Sequence, residues 1–552
     1  SFKQDFVRYL RSIETEAHGK NPWFVKYVVD AENPEYFDAV PVTIDYVVYD
    51  ANSVEEWLWD HRSDVGGFAE DGWTVVLTYL PELPSITWSD VKGFQKTYGD
   101  QLPESKPHYY GISSTDADLG YKLRYRDFMN AWGGHHRMWF VDLSAGPVFN
   151  SQWEDLPLQV VLGDNNIDLL SAFGRNWLNE YLADYIWQTT YNFVFPNFVY
   201  YPQYSPQYQI DVFIIDDRNS TEKHIVPIEG TVGKGIIETT FRDLLPYSEV
   251  NVGIHFSETD QQLHDLIGFS YKYTDSWIMG GVFGLPERYG VVDLRPIYKY
   301  TLDNLLTFEP NPEIIGKKVT VPVFAFALSG ETYFTYTYKW QIGKRDWETG
   351  ALLGMSLREA VFISLNQWQF TRGDYVDPKQ SGKGMGFTQT IIHEVGHSLG
   401  LMHPHQYGSI GDFVFSPMGY FTNDYNFGQI DKDALHRAHV DQVYIMTERL
   451  LSQMETRFDP SGLFVQAQNR LAEADSAYTK MEYVDALQLV LAAYQLARQA
   501  NETTAPVIMV YTIGGVAVGV VVAALGFAVI RRAAHSKGSV TTQLYTQGRI
   551  HC

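Results

Sequence analysis

The residues best arranged for chemistry lie in one stretch, His393-Glu394-Val395-Gly396-His397-Ser398-Leu399-Gly400-Leu401-Met402-His403. Side chains four apart share a helix face, so His393 and His397 can offer imidazole nitrogens to one metal ion from adjacent turns. Glu394 then sits beside the ion without ligating it. Gly400 permits the backbone that ends a helix, so His403 can arrive as third ligand from a new direction. Three histidines leave a tetrahedral ion with an open position, the arrangement a hydrolytic zinc requires. His405 is a rival third ligand, but the spacing favours His403. His135-His136 and the pair His436 and His439 lack convergent acids and read as surface or core residues.

This HExxHxxGxxH pattern resembles the metzincin metallopeptidases, with a match at every fixed position over about Phe387–Tyr420. The resemblance implies a Zn2+ cofactor on His393, His397 and His403, with Glu394 as general base for attack of water on a peptide bond. It also implies a methionine turn beneath the metal. Ser416-Pro417-Met418-Gly419-Tyr420 looks like that turn, with Met418 under the histidines and Tyr420 a candidate to stabilise the transition state. Members of that superfamily keep an edge strand for extended substrate upstream of the active helix, and Val319–Leu328 has strand composition in that place, as that edge strand or as an ordinary internal one. The subfamily stays open, because archaemetzincin cysteine ligands are missing and His403-Pro404-His405 departs from the acidic residue many members carry there.

The elements that must position these groups read as a mixed α/β chain of several units, since 552 residues exceed one ordinary core. Strand composition at Val42–Tyr49, Trp73–Tyr79 and Met138–Leu143, with helical stretches at Ser53–His61 and Ile167–Tyr191, predicts an N-terminal α/β region over 1–205. A metzincin-like α/β (α+β) peptidase domain is expected over 206–430. Asp433–Phe458 and Leu463–Ala500, separated by Asp459-Pro460-Ser461-Gly462, predict a helical hairpin over 431–503 that serves as a stalk.

Val507–Ile530 is uncharged and spans roughly 36 Å as a helix, which predicts a transmembrane helix. Arg531 and Arg532 follow it, so the positive-inside rule predicts a cytoplasmic tail over 531–552 and an extracellular N-terminal ectodomain. Gly515 and Gly519 are a hint of helix pairing and homo-oligomeric partners.

Charge and cysteine content exclude other classes. A net charge of −24 with no concentrated basic face argues against nucleic acid. The single cysteine, Cys552, allows no disulfide framework, no thiolate metal site in the body of the chain and no cysteine switch. Its scarcity favours a prokaryotic surface protein, archaeal ones included. The expectation is a cell-surface zinc endopeptidase acting on protein or peptide. The alternative is a surface-layer or adhesion protein that keeps a zinc site for structure.

Overall fold

The computed structural model describes residues 1–514 except 30–36, 69–70, 92–101, 117–120, 150–153, 195–203, 226–227, 229–231, 276–287, 305–317, 331, 340–345, 349–351, 358–359, 367–385, 408–412, 420–423 and 455–460. The chain is mixed α/β and divides into two compact units, Ser1–His439 with Tyr478–Val484, and Val440–Ala477 with Asp485–Cys552.

The N-terminal part of the first unit opens with helix α1 (Phe2–Ile13), which buries Phe6, Val7 and Leu10 on one face. Strands β1 (Thr15–Val29), β2 (Phe37–Asp50), β4 (His108–Asp116) and β5 (Tyr121–Met129) form one sheet in the order β1-β2-β4-β5. Strands β3 (Thr74–Thr78), β6 (Ala131–Gly133) and β7 (Met138–Asp142) form a second in the order β3-β7-β6. Helix α2 (Ala51–Asp60) starts at Asp50, whose carboxylate accepts from Ser53 N–H, one of the donors a helix start leaves orphaned. A short hairpin of β8 (Val148–Phe149) and β9 (Glu154–Asp155) and helices α3 (Leu158–Asp164) and α4 (Ala172–Val194) complete this part.

The site rests on a five-stranded sheet in the order β11-β10-β14-β19-β18, built from β10 (Gln207–Asp216), β11 (Glu249–Glu258), β14 (Val319–Leu328), β18 (Gly354–Ser356) and β19 (Val361–Asn366). The first four strands are parallel, β18 runs antiparallel to β19 at the edge, and the short helix α5 (Ser220–Ile225) follows β10. Period-2 alternation sorts β14 between two cores. Val321, Val323, Ala325 and Ala327 face helices α6 (Lys234–Leu244) and α9 (Gly386–Ser398), whereas Phe324, Phe326 and Leu328 face α7 (Gln261–Ser270) and α8 (Leu294–Asp303). A strand covered on both faces reads as a continuous apolar run, which is why its composition stood out in the sequence.

That topology decides between the edge and the internal place for Val319–Leu328. It is the central strand, flanked by β10 and β19, and among the described strands the edge of the sheet nearest the active helix is β18. A second small sheet, β12-β13-β15, joins β12 (Tyr271–Asp275), β13 (Arg288–Asp293) and β15 (Thr332–Thr335). A hairpin of β16 (Thr337–Lys339) and β17 (Asp346–Glu348) lies next along the chain.

The C-terminal helices are α10 (Gln429–Met454), α11 (Leu463–Thr479) and α12 (Tyr483–Gly514). The helix expected over Leu463–Ala500 is thus two helices. They break at Met481, a left-handed residue (φ 61°) whose carbonyl accepts from Arg137, a long-range anchor with no glycine or proline to announce it.

The transmembrane expectation over Val507–Ile530 is corrected as well. Among the described residues no helix is long and apolar enough to cross a membrane. α12 begins far upstream as a helix carrying Asp485, Arg498 and Glu502 and continues through Pro506, so only the first turns of the apolar run are described, and 515–552 lies outside the described residues. The single-pass topology, the membrane partner and the cytoplasmic tail over 531–552 therefore have no support in the fold, and Gly515 and Gly519 also fall outside the described residues.

Candidate metal centre

Helix α9 carries His393, Glu394 and His397, and its apolar face, Ile391, Ile392 and Val395, is fully buried against the sheet. The helix ends where Gly400 adopts φ +97°, a left-handed conformation that strains any residue with a Cβ. Gly400 N–H donates to His397 O and Leu401 N–H to Gly396 O, closing the last turn and sending the chain back so that His403 faces the helix.

The Nε2 atoms of His393 and His397 each lie 3.2 Å from Nε2 of His403. Among the described residues these three histidines are the only group of three or more His, Cys, Asp or Glu whose ligand atoms lie within 4.8 Å of one another. Each ring is oriented through its other nitrogen. His393 Nδ1 donates to Pro417 O (2.8 Å), His397 Nδ1 to Leu401 O (2.8 Å) and His403 Nδ1 to Gln406 Oε1 (3.1 Å), the same oxygen that accepts from His403 N–H.

Since all three Nδ1 atoms face acceptors, each must carry the proton, which leaves three Nε2 lone pairs pointing at one another. That arrangement is repulsive unless a cation sits between them. A tetrahedral ion with metal–nitrogen bonds of about 2.0–2.1 Å separates its ligands by about 3.3 Å, close to the spacing of two of the three pairs, and all three ligand atoms lie within 4.8 Å of one another. The three histidines therefore make a group that could bind a metal ion. Burial and the neighbouring histidines hold the rings neutral: His393 is pushed down to about 3, His403 to about 2, and His397 is lowered, chiefly by burial.

Glu394 is 5% exposed. Its carboxyl is pushed up to about 8 by burial, partly offset by a bond from the Ser356 backbone. Its Oε2 has no hydrogen-bond partner among the described residues. Gly354 on the edge strand makes room for it, because a Cβ there would lie 2.4 Å from Glu394 Cγ and Oε1. Ser356 Oγ bonds Ser398 Oγ at 2.9 Å, fastening the edge strand to the end of α9.

Met418 is fully buried beneath the same helix. A Cβ on Gly396 would lie 2.5 Å from its sulfur, so the glycine inside the motif lets the turn press directly on the helix backbone. Ser416 Oγ accepts from Met418 N–H (3.0 Å) and donates to Asp431 Oδ1 (3.0 Å), while Gly428 N–H donates to Asp431 Oδ2 (3.1 Å). Asp431 is raised to about 7 by its burial.

The N-terminal region holds this turn from behind. Phe413, Val414 and Phe415 belong to its core, Phe415 N–H donates to Gly133 O (2.7 Å), Gln429 N–H to Gly134 O (2.8 Å) and Trp139 Nε1 to Phe413 O (3.0 Å). The region shapes the site as an integral support.

The sequence-predicted residues divide as follows. His393, His397 and His403 come together, Met418 packs on Gly396 of the same helix, and Glu394, carried by that helix, sets its carboxylate against Gly354, whereas Tyr420 lies outside the described residues. His405 stacks on His403, with ring centroids 4.9 Å apart, and is not in the converging group. His135 bonds Glu55 (2.6 Å) and stacks on Phe415, and His436 Nε2 bonds Leu244 O (2.7 Å), so neither expected bystander pair forms a second centre. Sequence reasoning missed Gly354, Ser356, Gln406 and the Pro417 carbonyl. Gly354 and Ser356 lie forty residues from the motif in a strand of three residues, with no pattern to tie them to it. No protein-family model matches the chain, and no curated protein matches it in sequence.

Proposed function

We propose that the chain is a zinc-dependent endopeptidase of the metzincin type. The observation that carries the reading is Glu394, a buried carboxyl with one unpartnered oxygen among the described residues, carried next to His393 on the helix that supplies two of the three convergent histidines. A site kept only for structure would leave such an atom costly and idle.

His393, His397 and His403 would hold the ion, each ring locked by its own Nδ1 acceptor. Zinc in such a site supplies a Lewis acid that polarises a carbonyl and makes a neighbouring water acidic. Glu394 takes a proton from water at Oε2 and returns it to the leaving amine, a transfer favoured by the raised proton affinity that burial gives it. The edge of β18, unpaired on its outer side among the described strands, offers backbone groups to an extended peptide beside Glu394, the mode in which main-chain bonds bind and side-chain pockets select. Tyr420, two residues past Met418, retains its candidate role as a stabiliser of the oxyanion on the motif's resemblance.

The test is cleavage of a denatured protein mixture by the purified chain. Cleavage that stops on chelation and returns with zinc supports the reading. A zinc-loaded chain that cleaves no protein would remove it.

A further inference from the structure

The parallel sheet has a second functional end. From β10 the chain goes outward to β11, with α6 on one face, and then returns past β10 to β14, with α7 and α8 on the other. The order of the sheet thus reverses between β10 and β14. Open α/β sheets bind ligands in the crevice outside the carboxyl ends of the strands at such a reversal. The histidine cluster does not use it, since Ser356, which pairs with Val361 at the start of β19, ties the histidine end of α9 to the amino ends of the strands.

A cavity of about 530 Å³ lies at the carboxyl ends of β10 and β14. Its floor is acidic. Glu222, 8% exposed, accepts from Gly330 N–H through Oε1 (2.9 Å), and its Oε2 has no hydrogen-bond partner among the described residues. The Asp217 side chain is nearly as buried, and the one basic side chain on the wall among the described residues, His264, is already bonded to it at 2.7 Å.

Tyrosine rings form the rim. Tyr271 and Tyr273 project from the same face of β12, two residues apart, with ring centroids 5.2 Å apart at 81°, and they are 39% and 62% exposed. Gly290 on β13 is what lets Tyr271 fold inward, because a Cβ there would lie 2.6 Å from its ring. Rings set at right angles above buried carboxylates suit a cation, which gains from the ring faces and the negative charge together. A neutral sugar needs donors as well, and Asn219, the amide on the wall, already spends its carbonyl on Thr221 and Glu222 N–H and turns its NH2 to Ser329.

We propose that this cavity binds an alkylammonium group, such as a lysine side chain or a free amine, independently of the metal centre. The test measures binding of Nα-acetyl-lysine amide, butylammonium and Nα-acetyl-norleucine amide to the full chain by calorimetry. The lysine probe is expected to bind one per chain and the neutral norleucine probe at least about tenfold more weakly. Binding of butylammonium as well assigns recognition to the ammonium alone, and its failure assigns it to a peptide side chain.

Glu222→Gln and Tyr273→Ala are each expected to weaken the lysine probe about tenfold with metal content unchanged. Tyr273 is exposed, so its variant keeps the test valid should Glu222→Gln fail to fold. Equal binding of the lysine and norleucine probes, no binding of either cation, preference for a neutral saccharide, or full binding by Tyr273→Ala would overturn the proposal. Because the metal centre sits at the other end of the sheet, failure here would leave the peptidase reading untouched, and loss of zinc would leave this site intact.

Discussion

Two groups of histidines in the same unit behave in opposite ways. His393, His397 and His403, each half-buried, converge on one another, while His436 and His439 on α10 lie one turn apart, each 2% exposed, and have no hydrogen-bond partner in common. Burial lowers the proton affinity in both groups, with His439 pushed down to about 3. What differs is where the lone pairs go. The first three rings spend Nδ1 on acceptors and aim Nε2 at one another, whereas His436 spends Nε2 on Leu244 O and His439 packs edge-on against Tyr204. A lowered histidine pKa therefore marks burial, and convergence of unprotonated nitrogens marks a metal centre.

The largest expected effect that sharpens this contrast is on chemistry. Glu394→Gln keeps the shape and the three ligands but removes the base, so peptidase activity should fall by about 10²–10⁴ with metal content retained. Assays on protein of verified metal content check it, and unchanged activity would return the structural reading. Gly354→Ala attacks the same residue from outside, since the new Cβ would collide with the Glu394 carboxylate. It should cost about 10–100-fold in turnover and leave the metal in place, the size expected when a positioned group is displaced by an ångström or so.

Gly396→Ala tests the support beneath the helix. The added methyl meets the buried Met418 sulfur, and overpacking of this kind should cost about 1–3 kcal/mol, read from denaturant midpoints.

A purely pH-dependent effect belongs to the other histidine group. His439 has a folded-state pKa well below its unfolded value near 6.5, so its contribution to stability is complete above that pH and is lost as pH falls toward 3. The wild type should therefore lose up to about 1.4 kcal/mol per pH unit below 6.5 that His439→Phe does not lose. Parallel slopes for the two proteins between pH 6.5 and 5 would contradict a neutral buried His439.

The same contrast explains what was legible in the sequence. His393, Glu394 and His397 could be read because helix geometry converts spacing along the chain directly into proximity, Gly400 and His403 because a glycine can end the helix and turn the chain, and Met418 only through the motif's resemblance. The α/β character and the core of β14 were legible from apolar composition, but composition could not say that Val319–Leu328 is central, because strand order is set by long-range pairing. Gly354 and the Gly133–Phe415 contact depend on such pairing too. The break at Met481 was hidden because a distant arginine, Arg137, holds it. The apolar run after Pro506 misled in another way: hydropathy marked a segment, while the helix containing its start begins at Tyr483.

The most direct test of the central claim is metal content. The purified wild-type chain, dialysed against zinc-free buffer, and the His403→Ala and His436→Gln variants are measured by elemental analysis. One zinc per chain in the wild type and in His436→Gln, with little or none in His403→Ala, is the expected result. Equal zinc in the wild type and His403→Ala, or none in any of the three after zinc has been supplied, would contradict it.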